Sequence, residues 1–283
     1  MKVGVIGNGF VGANLAKVLE EAHNTVVYDK FQEGFRDPSV LSGSKVIFIC
    51  VPTPMKPDGE IDLSVVEDAI VTLKNIISTV EKPLIVIRST TVPGTADDLA
   101  QKYPFDFASN PEFLREKHAL EDMKNTRRII IGAENHTDYL KVAAVYIELF
   151  PNGEYVSVDR KTAEMIKYSS NSLLAGQIAL ANEIYQICNV LEIDYKKVKD
   201  ALLLDDRIAR NIDVPGHDGD LGFGGKCLPK DLNALISHAT KKGNDPKLLR
   251  EVWNLNNRLR KDKNWQNIIG ATSENNYHKD SGN

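Results

Sequence analysis

Cysteine is scarce in this chain. Cys50, Cys188 and Cys227 are spread over 283 positions, an odd and widely spaced set that argues against a disulfide framework. That usage points to a reducing compartment, with the cytoplasm as the expected location. No CxxC or HExxH spacing is present, so no metal site is expected. No apolar run approaches the roughly 18–20 residues of a membrane span, and no membrane partner is expected. There is no basic block, and the net charge of -4 is mild, which leaves no footprint for a nucleic acid polymer. Nor does the chain open on a signal-peptide pattern; it enters a strand-like run at once. What is present is a globular composition, long enough for two domains and a large core.

Residues 1–158 alternate short apolar runs with helical patterns. Lys2–Ile6, Thr25–Tyr28, Val46–Val51 and Leu84–Ile87 read as buried strands, followed by Phe105–Ala108, Arg128–Ile131 and Glu154–Val158. Helical patterns fill Val11–Glu21, Leu63–Ser78, Ala96–Lys102 and Thr137–Phe150. The rhythm predicts an α/β domain with a doubly wound sheet of the Rossmann type. From 159 to 262 the pattern becomes helical, opening on one long run, Lys161–Leu191, with Gly176 its single glycine. Tyr195–Leu204, Leu228–Lys242 and Lys247–Arg260 are further predicted helices. The long helix either bridges to a second subunit or packs on its own domain. The polar stretch 263–283 is expected to be a disordered tail.

The opening MKVGVIGNGFVG places Gly7, Gly9 and Gly12 as GxGxxG between a predicted strand and a predicted helix. Asp29 ends the second strand. In that context the pattern signals a dinucleotide site: glycines for the tight turn, free N–H groups for the pyrophosphate, and an acid for the ribose hydroxyls. Asn8, Phe10 and Val11 lie within the same turn. Asp29 favours NAD over NADP; Lys30 beside it pulls slightly the other way. Val51, Pro52 and Thr53 follow the third strand, and Ser89 and Thr90 the fourth. Both are at the edge where such sheets bind ligands. Their hydroxyls serve either a ligand or the loops themselves.

The segment GFGGKCLPKD holds Cys227 in a glycine-rich loop beside Lys226 and Lys230. Nearby cations favour the nucleophilic thiolate. A thiolate beside a redox cofactor can trap an aldehyde as a thiohemiacetal, which a second oxidation turns into a thioester. Lys167 and Asn171, four apart, share a helix face and are either oxyanion ligands or solvated surface. Glu112 and Glu116 in NPEFLRE are acid–base candidates or a surface pair with Arg115. Asp231 pairs with a lysine, orients a catalytic water, or caps the helix. Cys50 and Cys188 read as core residues.

MKVGVIGNGFVG, VPTP, RSTTVPGT, NPEFLRE, the Lys167–Asn171 pair and GFGGKCLPKD, in that order over roughly residues 1–260, resemble the nucleotide-sugar 6-dehydrogenases. The chain is most like the UDP-glucose branch, although RSTTVPGT is at least as similar in spacing to the GDP-mannose branch. The resemblance implies NAD as cofactor and oxidation of a sugar alcohol to a carboxylate with two NAD+. It implies Cys227 as nucleophile, Lys167 as oxyanion ligand with Asn171 assisting, Asp231 and Thr90 on water, and Glu116 near the thioester. Glu112 would sit where cofactor meets substrate. Phe113, Leu114, Arg115, Phe223 and Gly224 would line the sugar nucleotide. A homodimer through the long helix is also implied. Family members carry a third, C-terminal domain for which this sequence has no counterpart. Two rival readings are a β-hydroxyacid dehydrogenase, which needs no cysteine, and a non-catalytic NAD-binding homologue.

Overall fold

The computed structural model describes residues 1–77, 82–115 and 118–275. Among them the elements run β1 (Lys2–Ile6), α1 (Phe10–Leu19), β2 (Asn24–Tyr28), β3 (Val46–Ile49), α2 (Ser64–Ile76), β4 (Leu84–Ile87), α3 (Thr95–Lys102), β5 (Asp106–Ser109), α4 (Ala119–Lys124), β6 (Arg128–Ala133), α5 (His136–Tyr146) and β7 (Glu154–Val158). Then come α6 (Arg160–Val190), α7 (Tyr195–Leu202), α8 (Cys227–Lys241) and α9 (Lys247–Leu259). Ser78, where the sequence pattern ended a helix, and Glu116 lie outside the described residues. No helix among the described residues is long and apolar enough to cross a membrane.

The chain divides into two units. The first is Met1–Thr53 with Asp62–Lys167; the second is Pro54–Ile61 with the residues from Tyr168 onward. In the first, seven strands form one sheet in the order β2-β1-β3-β4-β5-β6-β7. The five strands β1 to β5 are parallel, and β6 joins β5 antiparallel. The chain leaves β1 for β2 on one side and returns to β3 on the other. This makes a switch point at the carboxyl ends of β1 and β3, where open α/β sheets bind ligands. The fold is therefore the expected Rossmann-type sheet. Side chains alternate between two cores with the strand period. Val46, Phe48, Leu84 and Val86 face the side of α1 and α5, while Ile47, Ile49, Ile85 and Ile87 face α2 and α3. Ile47, Ile85 and their like are fully buried, and each such side chain contributes about 1.5–3 kcal/mol.

The second unit is helical. Ala175 and Ala179 of α6 pack on Leu232 and Ile236 of α8 and Val252 of α9, with Phe223 from the preceding loop. Small residues on α6 let the other helices approach closely. Residues 263–275 are not the disordered stretch their polarity suggests. Trp265 is buried, its ring tilted against that of Trp253 at 5.5 Å. Ala271 is also buried, and its carbonyl accepts the Met55 N–H at 2.9 Å, while Met55 O accepts from Ser273 N–H at 2.8 Å. Two buried side chains and a backbone ladder outweigh a polar average. The short α4 escaped the sequence reading because six residues are too few to show a helical period.

Candidate active site

The turn after β1 is shaped by contacts that exclude side chains. Gly7 has φ of 94°, and a Cβ on Gly12 would fall 1.8 Å from the Gly7 carbonyl oxygen. Only glycine lets α1 seat so closely. Gly9 is different, because a Cβ there would meet nothing within 4 Å. Packing does not require that glycine. The open space lies over the N-terminus of α1, where no side chain caps the helix, and it suits a pyrophosphate. Asp29 Oδ2 accepts the Asn8 N–H at 2.7 Å, and Oδ1 accepts from Phe31 and Gln32 N–H at 2.9 and 3.1 Å. The carboxylate that would meet the ribose thus also sets the shape of its own turn. Phe10 is exposed, Val11 half-buried, and Lys30 pairs with Asp68 at the surface.

The loops after β3 and β4 are laced together. The Ser89 hydroxyl donates to Val51 O at 2.7 Å, and Thr53 Oγ1 donates to Thr90 O at 2.8 Å. Ser89 and Thr53 therefore serve the loops. Pro52 lies half-buried between them. The Thr90 hydroxyl itself makes no bond among the described residues.

After β5 the NPEF segment turns Glu112 inward. Its carboxylate is buried, 3.0 Å from the Lys167 Nζ, and accepts the Leu114 N–H at 2.6 Å. Burial by itself would raise this carboxyl. The Lys167 ammonium, the Leu114 N–H and the nearby Arg88 charge together outweigh burial and hold it below the ordinary carboxylate range. Glu112 is therefore no helix-surface residue, and Lys167 no solvated lysine. Arg115 pairs with Asp122, its Nη2 2.6 Å from Oδ1. Phe113 carries the Arg128 guanidinium at 3.9 Å over its ring.

In the second unit Cys227 is the first residue of α8 and its side chain is exposed. One turn on, Asp231 is fully buried. It accepts from the Asn171 amide at 2.5 Å and from Lys230 Nζ at 2.5 Å. Asp231 is thus not a solvent-facing helix cap, and Lys230 is committed to it. By contrast Cys50 and Cys188 are buried, and burial pushes the Cys50 thiol up to about 12. Gly222 and Gly225 take φ of 68° and 74°, and a Cβ on Gly224 would crowd Arg260 Nη2 at 2.4 Å. Phe223 does not line an open surface. Its ring is in the helical core, and its N–H and C=O bond to Asn256 at 2.7 and 3.0 Å.

Two family models match the chain. The NAD binding domain of the UDP-glucose/GDP-mannose dehydrogenase family covers residues 30–150, and the central domain of that family covers 161–258. The chain belongs to the UDP-glucose/GDP-mannose dehydrogenase family. A UDP-glucose 6-dehydrogenase of Bacillus subtilis (strain 168) is 33% identical over 92% of this chain. The match spans 63% of that relative's own length. The structure of a UDP-glucose dehydrogenase from Pyrobaculum islandicum superposes with a TM-score of 0.80 at 29% identity, covering 91% of this chain and 68% of the other. A 3-hydroxyisobutyrate dehydrogenase of Mycobacterium tuberculosis shares the fold, with a TM-score of 0.71, at only 16% identity. Membership settles the family against the β-hydroxyacid reading, and the cofactor of its first domain is NAD.

Sequence reasoning missed several residues that hold this family's motifs in place. Arg88, buried, donates to Asn110 Oδ1 at 2.6 Å, and Tyr146 OH donates to the same oxygen at 2.7 Å, which fixes the asparagine of NPEF. Asn182 and Asn264 accept the N–H groups of Gly222 and Gly225 at 3.0 and 2.9 Å, flanking the Asn256 clamp. Glu164 went unremarked as well. It is buried, and burial lifts its carboxyl to about 7. A glutamate on a long helix carries no local signal of burial.

Proposed function

We propose that this chain carries the chemistry of an NAD-dependent nucleotide-sugar 6-dehydrogenase, with UDP-glucose as the first substrate to try. The observation that supports this most is in the second unit. An exposed thiol stands at the N-terminus of α8, one turn from a buried carboxylate that holds Asn171. A helix N-terminus favours a thiolate. The reaction converts a primary sugar alcohol, two NAD+ and water to a sugar carboxylate, two NADH and three protons. Bound NAD+ supplies the hydride acceptor for each oxidation. Lys167, its ammonium fixed by Glu112, holds the substrate oxygen as the alcohol proton leaves. Cys227 sulfur adds to the aldehyde carbon and stays bonded through the second oxidation to the thioester. Asp231 with Asn171, and the Thr90 hydroxyl, orient the water that breaks the carbon–sulfur bond and frees the thiol. Arg115 and Leu114 contribute to the sugar-nucleotide contact, and Glu116 to the hydrolysis.

A homodimer is part of the same reading. Leu173, Leu180 and Ile187 recur at heptad spacing on α6 and are exposed by 74%, 60% and 53%. An apolar stripe of this kind fits a second copy of the helix. Three widely spaced cysteines fit a reducing cytoplasm.

The test is NADH formed per limiting UDP-glucose, with GDP-mannose and UDP-N-acetylmannosamine as alternatives. Two NADH per sugar are expected, and Cys227→Ala should abolish carboxylate production. Because the residue is exposed, that variant should keep its stability within about 0.5 kcal/mol. One NADH per substrate, indifferent to Cys227→Ala, would sink the proposal. NAD+ binding with no turnover on any sugar nucleotide would favour the non-catalytic reading.

A further inference from the structure

Glu164 sits one turn before Lys167 on α6, with 4% of its surface exposed, yet it points to no cation. Its Oε2 accepts the Gly94 N–H at 2.6 Å. Its Oε1 accepts the Ala96 N–H at 2.9 Å, the Thr91 hydroxyl at 3.3 Å and the Ser109 hydroxyl at 3.4 Å. Four donors from three places converge on one carboxylate: the loop after β4, the first turn of α3, and the end of β5. Gly94 is left-handed, with φ of 101°, and has no side chain to cap α3, so the cap comes from α6.

We propose that Glu164 is a positioning residue for the oxidation, clasping the loop that carries Thr90 and the β5 edge that leads to Glu112 against the turn of α6 that carries Lys167. This rests on the reading that Lys167 and Thr90 act on the substrate. The clasp is made of acceptor bonds, so the ionised form makes it in full. A protonated carboxyl brings a hydrogen of its own among four donors. Among the described residues, Glu164 has no lysine, arginine or histidine at salt-bridge distance. The charged groups around it pull in both directions. Asp97 on α3 opposes its ionisation; Asp97 is itself bonded to Arg160 at 2.6 Å. Asp98 on α3 and Asp106 at the start of β5 add negative charge in the packed elements. Lys161 and Lys167 flank it along α6, and Lys167 is taken by Glu112. Burial dominates and lifts the carboxyl to about 7, inside the working range of an oxidation that releases protons.

The test combines turnover with the amide signals of Gly94 and Ala96. In the wild type, both amide shifts and kcat should titrate with a common midpoint at about 7, kcat rising on the alkaline side. Glu164→Gln puts a donor where an acceptor is needed. It should lose kcat on the order of tenfold to a hundredfold at alkaline pH, keep its KM for NAD+, and lose the titration. Thr91→Val removes one donor and should move the midpoint upward with a smaller loss, which keeps the inference testable if Glu164→Gln does not fold. A wild type with turnover, beside variants that match its kcat and pH profile, would overturn the inference alone. Amide signals that stay flat across the range would overturn it as well. A wild type with no turnover on any sugar nucleotide would overturn the functional reading and the inference with it.

Discussion

Glu112 and Glu164 are buried to nearly the same degree and belong to the same unit. They titrate in opposite directions. Burial raises both, and what separates them is a counter-charge. Glu112 has the Lys167 ammonium at 3.0 Å and the field of Arg88, and is held below its ordinary range. Among the described residues Glu164 accepts bonds from neutral donors alone, and burial, with Asp97 adding to it, lifts it to about 7. Burial therefore does not say what a carboxylate does. One glutamate is a fixed anion that keeps a lysine in place; the other has its charge within reach of ordinary pH.

The strongest way to break this contrast is to take the cation away. Lys167→Met leaves Glu112 buried without its partner, which should cost about 3–5 kcal/mol in urea unfolding and abolish turnover. Adding Glu112→Leu should restore most of that stability and none of the activity. Recovery of turnover in the double variant would show that the pair serves the fold alone.

A second, somewhat smaller effect is the pH dependence of stability. The folded Glu164 keeps its proton up to about 7, while the unfolded chain releases it near the ordinary 4.5. Between those values the native state binds more protons, so stability falls as pH rises, by up to about 3 kcal/mol from this group. Glu112 acts the other way. Its contribution is present above the unfolded value and is lost as pH falls below that value through the lowered folded one. Subtracting the Glu164→Gln profile from that of the wild type should isolate the first slope. A difference flat from pH 4.5 to 7 would contradict the assignment. Smallest is Arg88→Met, which removes the more distant cation. It should raise the Glu112 titration and cost about 1 kcal/mol, since Asn110 and Tyr146 still bond each other.

The parts legible in the sequence are those whose cause is local. GxGxxG, the apolar strands and the unbroken run of α6 each depend on residues within one window, and they stand where the pattern put them. The second group needed partners far along the chain. Nothing near Glu112 announces Lys167, nothing near Asn171 announces Asp231, and nothing near Gly94 announces Glu164. The place of Phe223 in the helical core belongs with these, because it depends on Asn256 and Trp253. Trp265 and Ala271 were hidden in a polar average for want of Met55.

That last pairing bears on synthesis. The strand-like piece around Met55 belongs to the helical unit, although the sequence places it between two parts of the sheet unit. A ribosome delivers it long before its hydrogen-bonding partners Ala271 and Ser273. The sheet unit is complete by Lys167 and can fold while translation continues. The Pro54–Ile61 strap has to wait, the Met55 N–H and C=O without their partners, until Ala271 and Ser273 arrive. Such distant closure is slow, so the late-folding, chaperone-sensitive part of the described chain includes a segment made well ahead of its partners.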